Sequence, residues 1–95
     1  MMWAILESRK ALKQLKRCPE RIKKEYEAWK KVIEFSGPQA LRVISGYRDH
    51  ALKGEWKGAR SSYLNIQWRV IYYIDQRCIE VRVLEVTAHD YRKKN

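Results

Sequence analysis

Residues 58–87 read GARSSYLNIQWRVIYYIDQRCIEVRVLEVT, and this stretch decides the fold. Residues 59–64, 68–74 and 78–87 are rich in Val, Ile, Tyr, Trp and Leu. Asn65-Ile66-Gln67 and Asp75-Gln76-Arg77 separate the runs with gaps the size of a turn. Three strands in an antiparallel meander follow. In the middle run Val70, Tyr72 and Ile74 share one face, and Arg69, Ile71 and Tyr73 share the other. Both faces are mostly apolar, which places this strand inside the sheet.

Upstream the period changes. Leu12, Leu15, Ile22, Tyr26, Trp29 and Ile33 are spaced by threes, fours and one seven, a helical stripe. Pro19 interrupts it, and proline suits a first helical turn but not a helix interior. Two helices are predicted, over 8–18 and 19–35. Ser8 is the N-cap of the first. Ser36-Gly37-Pro38 ends the second. Residues 1–7 (MMWAILE) form an opening strand with Trp3 and Ile5 on one face. Residues 39–45 form a short helix, and 46–58 are turn-rich without clear periodicity. The expected fold class is α+β: an N-terminal strand and a two-helix hairpin packed on a twisted antiparallel sheet.

Ninety-five residues make one domain, 1–95. Apolar residues are 45% of the chain, enough for a folded core. The charge is unusual: 21 Lys and Arg against 11 Asp and Glu, a net of +10. Such an excess predicts a polyanionic partner. Residues 9–31 hold ten Lys or Arg against three Glu, so much of the charge lies on the helical hairpin, as a solvated face or a contact surface. No apolar run approaches the ~20 residues that span a bilayer, and no signal-peptide pattern opens the chain. Cys18 and Cys78 form no CxxC pair, and with only His50 and His89 a zinc finger is excluded. A cytoplasmic protein with reduced thiols is expected.

The remaining basic residues lie near aromatics and both histidines. Residues 48–60 (RDHALKGEWKGAR) carry Arg48, His50, Lys53, Lys57 and Arg60. Lys and Arg make phosphate contacts, and Trp56 either stacks on a base or anchors the loop in the core. Arg69 stands inside an apolar strand, where a guanidinium needs a partner. That partner is either an acid such as Glu80 or Glu85, or a phosphate. Arg60, on the neighbouring strand, is expected to join Arg69 in a forked phosphate clamp. The ending Thr87-Ala88-His89-Asp90-Tyr91-Arg92 adds a second histidine, a tyrosine and an arginine. Two histidines with arginines between them suit RNA cleavage, which needs a base, an acid and a cation at the phosphorus but no metal or cofactor. Asp49, Asp75 and Asp90 stand apart in the chain and make no convincing metal cluster.

The run LKGEWKGARSSYLNIQWRVIYYID, followed by a hydrophobic strand and VTAHDYRK, resembles the RelE/ParE superfamily of toxins from type II toxin–antitoxin modules. More narrowly, it is similar to the RelE, YafQ and HigB group, over nearly the whole chain. The resemblance implies a ribosome-dependent mRNA endonuclease that cleaves codons in the ribosomal A site by 2′-hydroxyl attack. It implies as partners a cognate antitoxin, the 70S ribosome with its mRNA, and operator DNA through the antitoxin complex, with no membrane role. His50 matches a catalytic histidine of YafQ-like members and His89 the C-terminal one. Arg60 and Arg69 match strand arginines that hold the scissile phosphate. Tyr91 resembles a C-terminal catalytic tyrosine, and Arg48, Lys53, Lys57 and Arg92 would bind RNA. YafQ-like members carry a further histidine and aspartate where this chain has Tyr63 and Gln67. The alternatives are a ParE-like gyrase inhibitor and a non-catalytic basic nucleic-acid-binding module.

Overall fold

The structure is a computed structural model that describes residues 2–88. The chain runs β1 (Ala4–Glu7), α1 (Arg9–Arg17), α2 (Glu20–Ser36), β2 (His50–Ala51), β3 (Arg60–Tyr63), β4 (Arg69–Asp75) and β5 (Glu80–Thr87). Short 3₁₀ turns at Pro38–Arg42, Ser45–Tyr47 and Gly54–Trp56 link α2 to β3 around the two-residue β2. The sheet order is β1-β5-β4-β3-β2. The expected meander is therefore the heart of the sheet, with β4 in its middle.

Three features depart from the sequence expectation. β1 pairs with β5 in parallel, so the sheet is mixed rather than wholly antiparallel. The turn-rich segment also supplies a strand, β2, antiparallel to β3. The short helix expected over 39–45 is replaced by the 3₁₀ turns Pro38–Arg42 and Ser45–Tyr47.

Periodicity on α2 explains the core. Ile22, Tyr26, Trp29 and Ile33, spaced by fours and a three, are its buried residues. They meet Val70 and Tyr72 of β4 and Val81, Val83 and Val86 of β5. The Trp29 ring stacks on Tyr26 at 5.6 Å and meets Tyr72 edge-on at 5.3 Å. Gly37 closes α2 with φ 83°, and a Cβ there would lie 2.7 Å from Oε1 of Gln39.

The first helix behaves differently. Only Ala11 of α1 is buried, and Leu12 of the predicted stripe is 46% exposed. α1 is instead bolted to the edge of β5 beyond the reach of β1. The Ser8 backbone N–H donates to Val83 O at 2.9 Å, and its hydroxyl donates to Leu84 O at 2.8 Å. Gln14 Oε1 accepts from the Val86 N–H at 2.7 Å. These bonds satisfy a strand edge that would otherwise invite pairing with another chain. The Ser8 oxygen also caps α1, accepting from the Ala11 N–H at 2.9 Å. Ser8→Ala removes both bonds, and the expected loss is about 1–2 kcal/mol. Urea unfolding followed by circular dichroism measures it, and an unchanged midpoint would refute the double role.

A second, smaller apolar cluster lies on the other side of the sheet. Leu52, Ala59 and Ile71 are buried there, with Trp56 and Leu84 packed against them. Leu84 is the extra residue of a bulge, since Ile71 pairs with Glu85 while Tyr72 pairs with Val83. Trp56 thus anchors its loop, as one of the two sequence readings had it. Cys18 is buried, Cys78 is exposed, and both are free thiols.

Candidate active site

Strand register sorts the predicted residues between the two faces of the sheet. His50 pairs with Ser61, and Ser61 with Ile71. Tyr63 pairs with Arg69, and Arg69 with Thr87. Paired residues share a face, and alternate residues along a strand share it too. His50, Ser61, Tyr63, Arg69 and Ile71 therefore lie together on the face away from Trp29. Arg60 pairs with Tyr72, whose ring meets Trp29. Arg60 is on the helix-covered face.

The expected forked clamp of Arg60 with Arg69 does not form. The eight residues between them include a turn whose register puts them on opposite faces. Arg60 is occupied by an acid instead: its Nε donates to Asp49 Oδ1 at 2.7 Å. The Asp49 carboxylate also accepts from the Ser62 hydroxyl at 2.6 Å and from the Tyr72 hydroxyl. Its side chain is wholly shielded from solvent. Burial lowers the Arg60 pKa, but the bond to Asp49 and its charge outweigh that, and the net shift is upward. Asp49 had no role in the sequence reading beyond standing apart from other acids. Its signal was its place next to His50.

The companion of Arg69 is Arg48. The Arg69 guanidinium lies 4.6 Å from the centroid of the Tyr63 ring, and that of Arg48 lies 5.7 Å from it. Arg69 also donates to the Tyr63 hydroxyl at 3.3 Å and to Gln67 O at 3.4 Å. Arg69 is 5% exposed, while Arg48 stands exposed at the rim. One ring thus gathers two guanidinium groups.

His50 sits beside them. Its Nδ1 lies 2.8 Å from the Arg48 carbonyl. A carbonyl only accepts, so Nδ1 carries the proton and Nε2 of the neutral ring holds a lone pair. Nε2 is itself shielded from solvent and has no hydrogen-bond partner among the described residues. Lys53 and Lys57 are exposed on the loop that Leu52 and Trp56 hold against Ile71. His89, Tyr91 and Arg92 lie outside the described residues.

One group of metal-ligand donors occurs among the described residues: Asp75, Cys78 and Glu80, at the β4–β5 turn. Its acids already have local work. Asp75 accepts from the Cys78 N–H at 3.2 Å, and Glu80 pairs with Arg82 at 3.3 Å.

Tyr72 titrates as a reporter of the Asp49 node. Burial first, and then the charge and hydrogen bond of Asp49, push its pKa well above 10. Tyr26, buried and bonded to Glu7, is raised for the same reasons. In the unfolded chain both phenols ionise near pH 10. Their folded pKa is higher, so their contribution is complete below pH 10 and is lost as pH rises above it. Stability is expected to fall above pH 10. Tyr26→Phe and Tyr72→Phe flatten that limb, as urea midpoints between pH 8 and 11.5 would record; an identical limb in both variants would refute the assignment.

The model of the YafQ toxin family, described as the bacterial toxin of a type II toxin–antitoxin system, matches residues 4–91. The chain belongs to the YafQ toxin family. YafQ-type folds recur among the solved structures. The Escherichia coli DinJ–YafQ toxin–antitoxin complex superposes with a TM-score of 0.72 at 21% identity, covering 92% of each chain. The YoeB–YefM complex from Staphylococcus aureus gives 0.73 at 22% identity, over 95% of this chain and 100% of that one. The archaeal RelE–RelB complex from Pyrococcus horikoshii OT3 gives 0.72 at 16% identity, over 92% and 94%. These similarities establish the fold. No functionally curated protein matches the sequence. As a YafQ-family chain it is a toxin of a type II toxin–antitoxin system. No helix among its described residues is long and apolar enough to cross a membrane.

Proposed function

We propose that this toxin is a ribosome-dependent mRNA endonuclease that cuts codons in the A site and so stops translation. The observation that carries the reading is the grouping of His50, Arg48 and Arg69 about Tyr63 on one sheet face. A ribose 2′-hydroxyl attacks the adjacent phosphorus. The 5′-oxygen leaves, and the products are a 2′,3′-cyclic phosphate and a 5′-hydroxyl. His50 takes the 2′-proton on Nε2, the nitrogen with the lone pair, once RNA binding at the exposed Arg48 rim uncovers that shielded atom. Arg69, held on Tyr63, and Arg48 stabilise charge on the phosphorane oxygens. His89 returns a proton to the 5′-oxygen. It follows Thr87, the partner of Arg69, by two residues. Tyr91 assists the proton transfer, and Arg92, Lys53 and Lys57 bind flanking phosphates. Arg60 is left out of the phosphate site, because Asp49 holds it on the other face.

A domain this small needs its substrate delivered in line, and the ribosome does that by holding one codon still. The working place is then the cytoplasm. A cognate antitoxin neutralises the toxin, and the pair meets operator DNA as a complex. The net charge of +10 suits both ribosomal RNA and an acidic antitoxin.

The test is cleavage mapping on ribosomes programmed with a defined mRNA. Cuts in phase with codons, ending in 2′,3′-cyclic phosphate, are expected. Intact mRNA together with gyrase-dependent DNA breaks would replace this reading with a gyrase poison. Salt-dependent RNA binding without any cuts would reduce it to a binding module.

A further inference from the structure

The tripeptide Arg48-Asp49-His50 passes from one face of the sheet to the other. Arg48 is left-handed, with φ 44° and ψ 41°, a conformation that a residue with a Cβ keeps only when its surroundings impose it. Its carbonyl meets Nδ1 of His50. Asp49, between the two, points its carboxylate to the opposite face. Its three donors come from β3 and β4: Arg60, Ser62 and Tyr72. Arg60 and Ser62 flank Ser61, the strand partner of His50.

We infer that Asp49 is a positioning residue for His50, its three-donor carboxylate clamping the Arg48–His50 turn so that the Arg48 carbonyl holds the imidazole in the Nδ1–H form. A turn that is strained at Arg48 needs a strong anchor. A shielded carboxylate with a guanidinium and two hydroxyls is one. In water the neutral histidine ring favours the Nε2–H form, which has its lone pair on the wrong nitrogen for this site. The clamp therefore selects the tautomer that acts as a base through Nε2. Arg60, matched from sequence to a phosphate ligand, is here the counter-charge of the clamp. The inference rests on the reading of His50 as the base, but its structural half does not need that reading.

The experiment is nitrogen NMR of protein labelled at histidine, with the His50 signals assigned from His50→Gln, beside cleavage kinetics on programmed ribosomes. In the wild type the Nδ1–H tautomer of His50 is expected to dominate. Asp49→Asn keeps the size and loses the charge. It is expected to move His50 toward Nε2–H and to lower kcat at least tenfold, with KM for programmed ribosomes within twofold. Ser62→Ala and Tyr72→Phe each remove one donor and leave Arg60 paired. They are expected to show smaller shifts in the same direction, and they carry the test if Asp49→Asn does not fold. A wild-type ring in the Nε2–H form would overturn the inference. So would an unshifted tautomer in folded Asp49→Asn, or in both single-donor variants if it does not fold. A wild type that cuts no mRNA, with the tautomer still shifting in these variants, would overturn the nuclease reading while supporting the clamp.

Discussion

His50→Ala is expected to lower codon cleavage by about 100- to 10,000-fold, the range for removing a general base. The fold should survive. His50 is only part-buried on a two-residue strand at the end of the sheet order, and its ring bonds to a backbone carbonyl of its own turn. His50→Gln is the sharper variant, because an amide keeps much of the size but takes no proton at neutral pH. Both should bind programmed ribosomes like the wild type, since arginines and lysines supply the attraction. Cleavage at half the wild-type rate or more in His50→Gln would remove His50 from the chemistry and leave the base to be found elsewhere.

The largest stability effect is expected at Trp29. Its side chain is fully buried, stacked on Tyr26 and edge-on to Tyr72, where α2 crosses the sheet. Trp29→Ala should cost about 3–5 kcal/mol in lost burial and cavity. A domain of this size holds roughly 5–14 kcal/mol in all, so the variant lies near the edge of folding at 37 °C. Trp29→Phe should cost much less, about 1–2 kcal/mol. It keeps a ring between the two tyrosines and removes an indole N–H that has no partner among the described residues. Urea unfolding followed by far-ultraviolet circular dichroism separates the pair. Equal losses in both would mean that the stacked rings are not what holds α2 down.

Legibility followed the strength of local pattern. β3, β4 and β5 were readable because long runs of Val, Ile and Tyr alternate around turn-sized gaps, and the helical period of Ile22, Tyr26, Trp29 and Ile33 marked the buried face of α2. β2 was not readable, because two residues carry no period and their pairing depends on β3 being there first. The parallel partner of β1 was hidden for a similar reason: nothing in AILE names a strand more than 70 residues away. α1 misled because a leucine at helical spacing implies burial, whereas this helix serves a strand edge through Ser8 and Gln14. The Arg60–Arg69 clamp failed on register. Residue type placed both on adjacent strands, but only the pairing of Tyr63 with Arg69 reveals that they face apart. Asp49 was hidden because a single acid in a basic loop looks like surface until three donors from two strands close on it.

The pairing of β1 with β5 has a consequence for when the toxin exists at all. β5 is the last strand among the described residues, and it is the strand against which both β1 and β4 lie. Its valines complete the core, and its edge receives α1. A nascent chain that stops before residue 80 leaves β1 without its neighbour, α1 without its dock and the Trp29 cluster open on one side. Contacts between segments so far apart in sequence also form late and slowly. A partial product of interrupted synthesis thus lacks the completed fold. On the proposed activity, a cut copy of the toxin's own message would yield no folded toxin.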